Sequence, residues 1–264
     1  MTFTIPDART VAPRKNPQSL LLYGGWKVGK TASCAAIPDS IVVELQPGGA
    51  DFVPHGRIME IDTCEKFLEL TTWLAEERKA GKPVAKRVAF DHIGVVDDWA
   101  FELALAKFKK SPMGSGKFSD LNRITDLPSG GGGSGGSPGW SWYWAELGQL
   151  HYRMVASAED VILISHLRDK AIKKEAGDVV VEDVDITGSK GRRLFCGQSS
   201  AIGFMFRRLN GQEDQLVLSF KTSDSVIAGC SCPHLTGREF VIGKSTNKGP
   251  VTFDWSPIFT PDPA

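Results

Sequence analysis

The stretch Gly24-Gly25-Trp26-Lys27-Val28-Gly29-Lys30-Thr31 fills every fixed position of the phosphate-binding pattern G-x-x-x-x-G-K-[ST]. It constrains the fold more than any other segment, because the pattern works in only one structural context. The apolar run Leu20-Leu21-Leu22-Tyr23 precedes it and reads as a buried strand. Thr31-Ala32-Ser33-Cys34-Ala35-Ala36 follows and can open a helix. In that order, the loop aims backbone N–H groups at an anionic phosphate chain, and the helix N-terminus adds partial positive charge. Lys30 is expected to bridge the β- and γ-phosphates, and the Thr31 hydroxyl to ligate Mg2+. The expected nucleotide contacts are Gly24, Gly25, Trp26, Lys27, Val28, Gly29, Lys30, Thr31 and Ala32.

Further apolar runs alternate with helical patterns. Ile41–Glu44 and Arg57–Ile61 read as strands, and Arg87–Asp91 as another. Between them, Asp62-Thr63 opens a helix whose apolar stripe runs through Phe67, Leu70 and Leu74, and Gly81 with Pro83 ends it. Helices are predicted over 97–110 and 140–158, and a strongly apolar strand at Val161–Ser165. Short strands follow near 201–207, 216–220 and 240–242. The fold class expected is α/β: a mostly parallel central sheet flanked by helices, with antiparallel strands toward the C-terminus. Residues 1–19 are polar and proline-punctuated and read as an arm, 20–255 as one domain and 256–264 as a tail. Within the domain, 111–139 is rich in Gly, Ser and Pro and reads as a flexible loop, natural or spliced in.

Lysine and arginine balance aspartate and glutamate at 31 each, so no general basic coat for nucleic acid exists. Basic residues nevertheless cluster at 107–117, at 168–174 and at 190–193. The N-terminus lacks a basic start followed by an apolar core, and no apolar run approaches the roughly 18 residues of a membrane span. A cytoplasmic protein with no membrane partner is the expectation. Five cysteines are an odd number and read mostly as buried thiols. Cys230-Ser231-Cys232-Pro233-His234 hints at zinc, but the second ligand pair that a structural site needs is missing.

Asp91 ends an apolar strand, as expected of a carboxylate that holds Mg2+ through water from a strand beside the phosphate strand. Ser165-His166 ends the next strand and places a polar side chain near the γ-phosphate. Trp140, Trp142, Tyr143 and Trp144 suit either stacking on bases or burial, and burial is the expectation for most.

Glycine loop, acidic strand end, Asp91 strand, then His166 followed by Leu167-Arg168-Asp169-Lys170 resembles the RecA-type core of ATP-dependent recombinases. The chain is most similar to compact bacteriophage RecA-like ATPases of the Sak-type single-strand annealing class. The resemblance covers roughly 18–245. It implies an ATP- and Mg2+-dependent ATPase that binds single-stranded DNA and promotes annealing and recombination. It also implies a homo-oligomeric ring or filament, and a single-strand-binding protein as a possible partner. By it, Lys30, Asp91 and His166 are catalytic, with Thr31 and Asp91 on the metal. Arg168 and Lys170 face a neighbour's nucleotide or DNA. Lys190, Arg192 and Arg193 contact DNA phosphates from a mobile loop.

One departure stands out. The family ends its second strand Asp-x-Glu, and here Glu44-Leu45-Gln46 stands, followed by Pro47-Gly48-Gly49. Gln46 cannot accept a proton as a carboxylate does, though it can orient a water. Glu44 serves if the register differs by two residues. Slow, DNA-stimulated hydrolysis follows as the expectation. Alternatives from the same motif are a helicase- or packaging-type motor, a nucleotide-switched DNA-binding scaffold, and, more remotely, a small-molecule kinase.

Overall fold

The computed structural model describes residues 14–116, 118–128, 138–174, 177–246 and 251–260, and only the backbone of 169–174, 177–182 and 246. The elements are β1 (Ser19–Gly24), α1 (Lys30–Ala35), β2 (Ser40–Glu44), β3 (Ile58–Glu60), α2 (Cys64–Lys79), β4 (Arg87–Asp91), α3 (Ile93–Lys110), α4 (Gly139–Ala156), β5 (Asp160–Lys174), β6 (Gly177–Val184), α5 (Gly188–Gln198), β7 (Ala201–Asn210), β8 (Glu213–Ser219), β9 (Gly229–Cys230), β10 (Glu239–Thr246) and β11 (Thr252–Phe253).

The sheet runs β11-β10-β8-β7-β1-β5-β4-β2-β3. From β7 to β3 all neighbours are parallel, and β8, β10 and β11 extend the sheet antiparallel. The α/β class with a mostly parallel sheet is therefore as expected. The central strands read as unbroken apolar runs because both faces are covered. Along β1, Leu21 and Tyr23 join the core under α2, α3, α4 and α5, while Leu20 and Leu22 pack with α1 and the C-terminal segment. Val161 and Leu163 alternate with Ile162 and Ile164 in the same way.

Several boundaries move. Helix α3 begins at Ile93, because the His92 side chain caps it by accepting from the Gly94 N–H. The strand expected to stop at Ser165 continues to Lys174; past His166 it leaves the large sheet and pairs antiparallel with β6. Apolarity had tracked burial, which ends there, and not the strand. The segment 187–197, expected to be a loop, is helix α5. The strand at Ala201 is parallel to β1, not part of the antiparallel extension.

The expected arm and tail are partly structural. Asn16 is buried and holds Thr260 through three hydrogen bonds: its Nδ2 donates to the carbonyl at 2.8 Å, and its Oδ1 accepts from the Thr260 N–H at 2.9 Å and from the Thr260 hydroxyl at 3.1 Å. Ile258 and Phe259 are core residues, and the Arg87 guanidinium lies 4.3 Å over the Phe259 ring. Likewise 111–139 is not one loose loop: Ile124 and Leu127 are buried beside α3 and α4. The Gly/Ser run 129–137, residues 1–13 and 261–264 lie outside the described residues. Tyr143 is fully buried, and Trp140, Trp142 and Trp144 pack against the same core, so burial wins over base stacking.

On α4, His151 is 3 % exposed, its ring edge-on to Phe195 and its Nε2 without a partner. Burial lowers its pKa to about 4. The unfolded chain then binds a proton near pH 6.5 that the folded chain refuses until about 4. Stability from this residue is present above pH 6.5 and is lost as pH falls through that window, by up to about 3 kcal/mol. Denaturant melts of wild type and His151→Leu at pH 7 and pH 4.5 check this. The variant is expected to lose less stability between the two pH values.

Candidate functional site

The parallel strands end together. Cα pairing sets Gly24 beside His166, Asp91 beside Ile164, and Glu44 beside Asp91. At this edge lies a cavity of about 690 Å³ lined by the loop 26–32, by Glu44, Gln46, Pro47, Gly48, Gly49, Phe52 and Val53 from the turn after β2, and by Asp91, His92 and His166. Open α/β sheets bind ligands at this carboxyl edge.

Two glycines of the loop are needed for different reasons. A Cβ at Gly24 would stand 2.3 Å from the Met205 carbonyl oxygen, so this glycine lets β7 lie against β1. Gly29 has φ 112°, a left-handed conformation, and is the residue from which α1 starts. Helix α1 has no side-chain cap and no acidic residue in its first turn, so its leading N–H groups face the cavity without an internal anion. Lys27 also takes a left-handed φ of 57°, a conformation uncommon for a non-glycine residue.

Lys30 is 5 % exposed and folds across the loop, donating to the Gly24 and Gly25 carbonyls at 2.9 Å each, with His166 Nδ1 at 3.4 Å. Burial brings its pKa down to about 8, against the pull of the Asp91 carboxylate. The Thr31 hydroxyl donates to Asp91 Oδ2. Asp91 is pushed above the usual carboxylate range by burial, partly offset by that hydroxyl and by Lys30. A buried carboxylate and a hydroxyl in contact form a hard-oxygen pair that fits Mg2+. Asp91 does not stand on the strand next to β1, as expected from the sequence; β5 lies between them, and His166 with it.

His166 stacks on Trp26, centroids 4.0 Å apart and planes 12° apart, and its ring is 4.4 Å from His92. Burial lowers the His166 pKa to about 4, and neighbouring Lys30 and His92 add to the effect, so the ring is neutral near pH 7. Glu44 is 2 % exposed; Oε1 accepts from the Ala50 N–H at 2.8 Å, while Oε2 has no partner. Burial raises its pKa. Gln46 is exposed, and its Oε1 meets His92 Nε2 at 2.8 Å.

The expected DNA contacts are not assembled into the cavity. Arg168 is exposed at the start of the β5–β6 ribbon, 4.0 Å from Asp185, and the Lys170 side chain lies outside the description. Lys190 and Arg193 are exposed on α5, a helix and not the mobile loop expected. Arg192 is tied to the buried carboxylate of Asp183, which gives it a structural partner. His92 and Phe52 were missed by sequence reasoning. His92 had a signal, since it directly follows Asp91 at the end of an expected strand; Phe52, 94 % exposed at the cavity rim, had none beyond its glycine-rich surroundings.

A phosphate loop and an aspartate, converging at the carboxyl edge of a parallel sheet, make this chain a P-loop nucleoside-triphosphatase by fold and site. It belongs to the AAA domain family, whose pattern it matches across residues 16–232. No curated protein matches it. Among the described residues no helix is long and apolar enough to cross a membrane.

Proposed function

We propose that the chain is an ATP- and Mg2+-dependent switch that binds single-stranded DNA and promotes strand annealing in bacteriophage recombination, acting as a homo-oligomer. The observation that carries the nucleotide part is the convergence of Lys30, Thr31, Asp91 and His166 on one cavity behind an uncapped loop. The DNA part rests on the RecA-type resemblance and on continuity: β5 runs without a break from His166 into the β5–β6 ribbon, which leads to α5. The start of α5 is also linked to α3, since the Thr187 N–H donates to Asp97 Oδ2 at 3.1 Å. A shift at His166 on γ-phosphate binding would therefore reach Arg168, Lys190 and Arg193.

In the proposed mechanism the loop N–H groups and Lys30 hold the β- and γ-phosphates, with Lys30 leaving the Gly24 and Gly25 carbonyls for phosphate oxygens. Thr31 and Asp91 would hold Mg2+, which when bound would neutralise charge on the phosphates. His166 takes the γ-phosphate contact. Glu44 Oε2 accepts the proton of the attacking water, whose oxygen bonds to the γ-phosphorus as the β–γ bridging bond breaks. Because Gln46 stands where the family carries a carboxylate, hydrolysis is expected to be slow and the bound state long-lived. Gln46, standing where a carboxylate base was expected, favours a second reading, a DNA-binding scaffold that is switched by ATP binding alone.

Fluorescence anisotropy of labelled single-stranded DNA tests the proposal. ATP is expected to tighten binding, and Lys30→Ala to abolish that response. Replacing Lys190 and Arg193 together by glutamate is expected to weaken binding by about tenfold or more and to flatten its salt dependence by one to two phosphate contacts. Binding indifferent to nucleotide and to Lys30 removes the switch. Duplex unwinding without annealing would point to a motor instead.

A further inference from the structure

Gln46 stands where a carboxylate base was expected, and the His92 side chain decides which end of its amide is available. His92 Nδ1 accepts from the Gly94 N–H at 3.2 Å as the cap of α3. A backbone N–H can only donate, so Nδ1 carries no proton and the ring proton of His92 sits on Nε2. That Nε2–H, 2.8 Å from Gln46, needs an acceptor, and only the amide oxygen can serve. The orientation of the amide thus follows from a helix cap and not from an arbitrary choice between its two ends. With Oε1 held by His92, the NH2 group points away from it, and no described residue accepts from that NH2. Both residues line the cavity that holds Lys30, Asp91 and His166.

We infer that Gln46, positioned by His92, is a hydrogen-bond donor that reads the terminal phosphate and so sets the preference for nucleoside triphosphate over diphosphate. This role replaces that of polarising the attacking water through the amide oxygen, which is already engaged. His92 is the positioning residue, since it acts through Gln46. The inference rests on the cavity being a nucleotide site. A donor to an ionised phosphate oxygen makes a charge-assisted hydrogen bond, which is stronger than a neutral one. A diphosphate offers nothing at that place, so the effect appears in the ratio of the two affinities.

The test is calorimetric titration of the full chain with Mg2+ and either ADP or a non-hydrolysable ATP analogue. Wild type is expected to prefer the triphosphate. Gln46→Leu and Gln46→Glu are each expected to narrow the preference by about tenfold, with ADP affinity nearly unchanged. His92→Asn keeps an acceptor for the Gly94 N–H but does not reach Gln46, and is expected to narrow it by several-fold at little change in melting temperature. A merely structural role for either residue would weaken both nucleotides alike and leave the ratio intact, which overturns the inference. So does a ratio that is unchanged while turnover falls, the mark of a residue that orients water. Wild type that binds neither nucleotide refutes the nucleotide site itself, a distinct outcome.

Discussion

Replacing Lys30 by alanine is expected to lower the affinity for Mg·ATP by about a hundredfold or more while leaving the fold intact. The ammonium is the one buried cation among the described residues that line the cavity, and it stands on carbonyl oxygens that cannot satisfy a full charge. Two charge-assisted hydrogen bonds to phosphate, at about 1.5–3 kcal/mol each, account for that loss. In the absence of ligand, the substitution gives up two bonds to Gly24 and Gly25 but also relieves the burial that pulls the lysine pKa down to about 8. Opposite effects of similar size leave stability close to wild type. Calorimetry for binding, and a thermal melt without nucleotide for stability, separate the two. A variant that binds ATP normally contradicts the assignment of Lys30.

Gly24→Ala is expected to damage the fold itself. Its Cβ would stand 2.3 Å from the Met205 carbonyl oxygen and 3.2 Å from the carbonyl carbon, both backbone atoms of β7. No rotamer relieves such a contact; β1 and β7 must separate, and the phosphate loop that starts at this residue moves with them. Overpacking in a well-packed core costs about 1–3 kcal/mol, and a backbone clash lies at or beyond the top of that range. Gly25→Ala is the control, because nothing lies within 4 Å of its Cβ and its φ is not left-handed. Denaturant melts should show Gly24→Ala several kcal/mol below Gly25→Ala in stability. Equal stabilities would mean that the β1–β7 approach is looser than described.

The pattern around Gly24–Thr31 was legible because each fixed residue answers a local demand: close approach, a left-handed turn, a charge, a hydroxyl that meets the Asp91 carboxylate. The central strands were legible for a related reason, since burial on both faces writes itself as an unbroken apolar run. What was not legible depends on neighbours distant in sequence. Nothing between residues 31 and 91 reveals that β5 separates β1 from β4, yet this insertion is what brings His166 to Lys30. The ribbon beyond His166 was hidden because its strands leave the core, and α5 was hidden by its three glycines, Gly188, Gly191 and Gly197, which weigh against a helix. The role of Ile258 and Phe259 was hidden by the prolines around them, although both complete the core beneath β1. Gln46 shows the same limit within the site. Its residue type said that it is not a base, but only the cap of α3 reveals which way its amide faces.

The central claim is that the cavity at the end of β1 takes a triphosphate together with Mg2+. Isothermal titration of the folded, wild-type chain with ATP in saturating Mg2+ tests it most directly. The account predicts saturable uptake of one nucleotide per chain, weakened when Mg2+ is chelated. Folded protein that shows no uptake of any nucleoside triphosphate would contradict it.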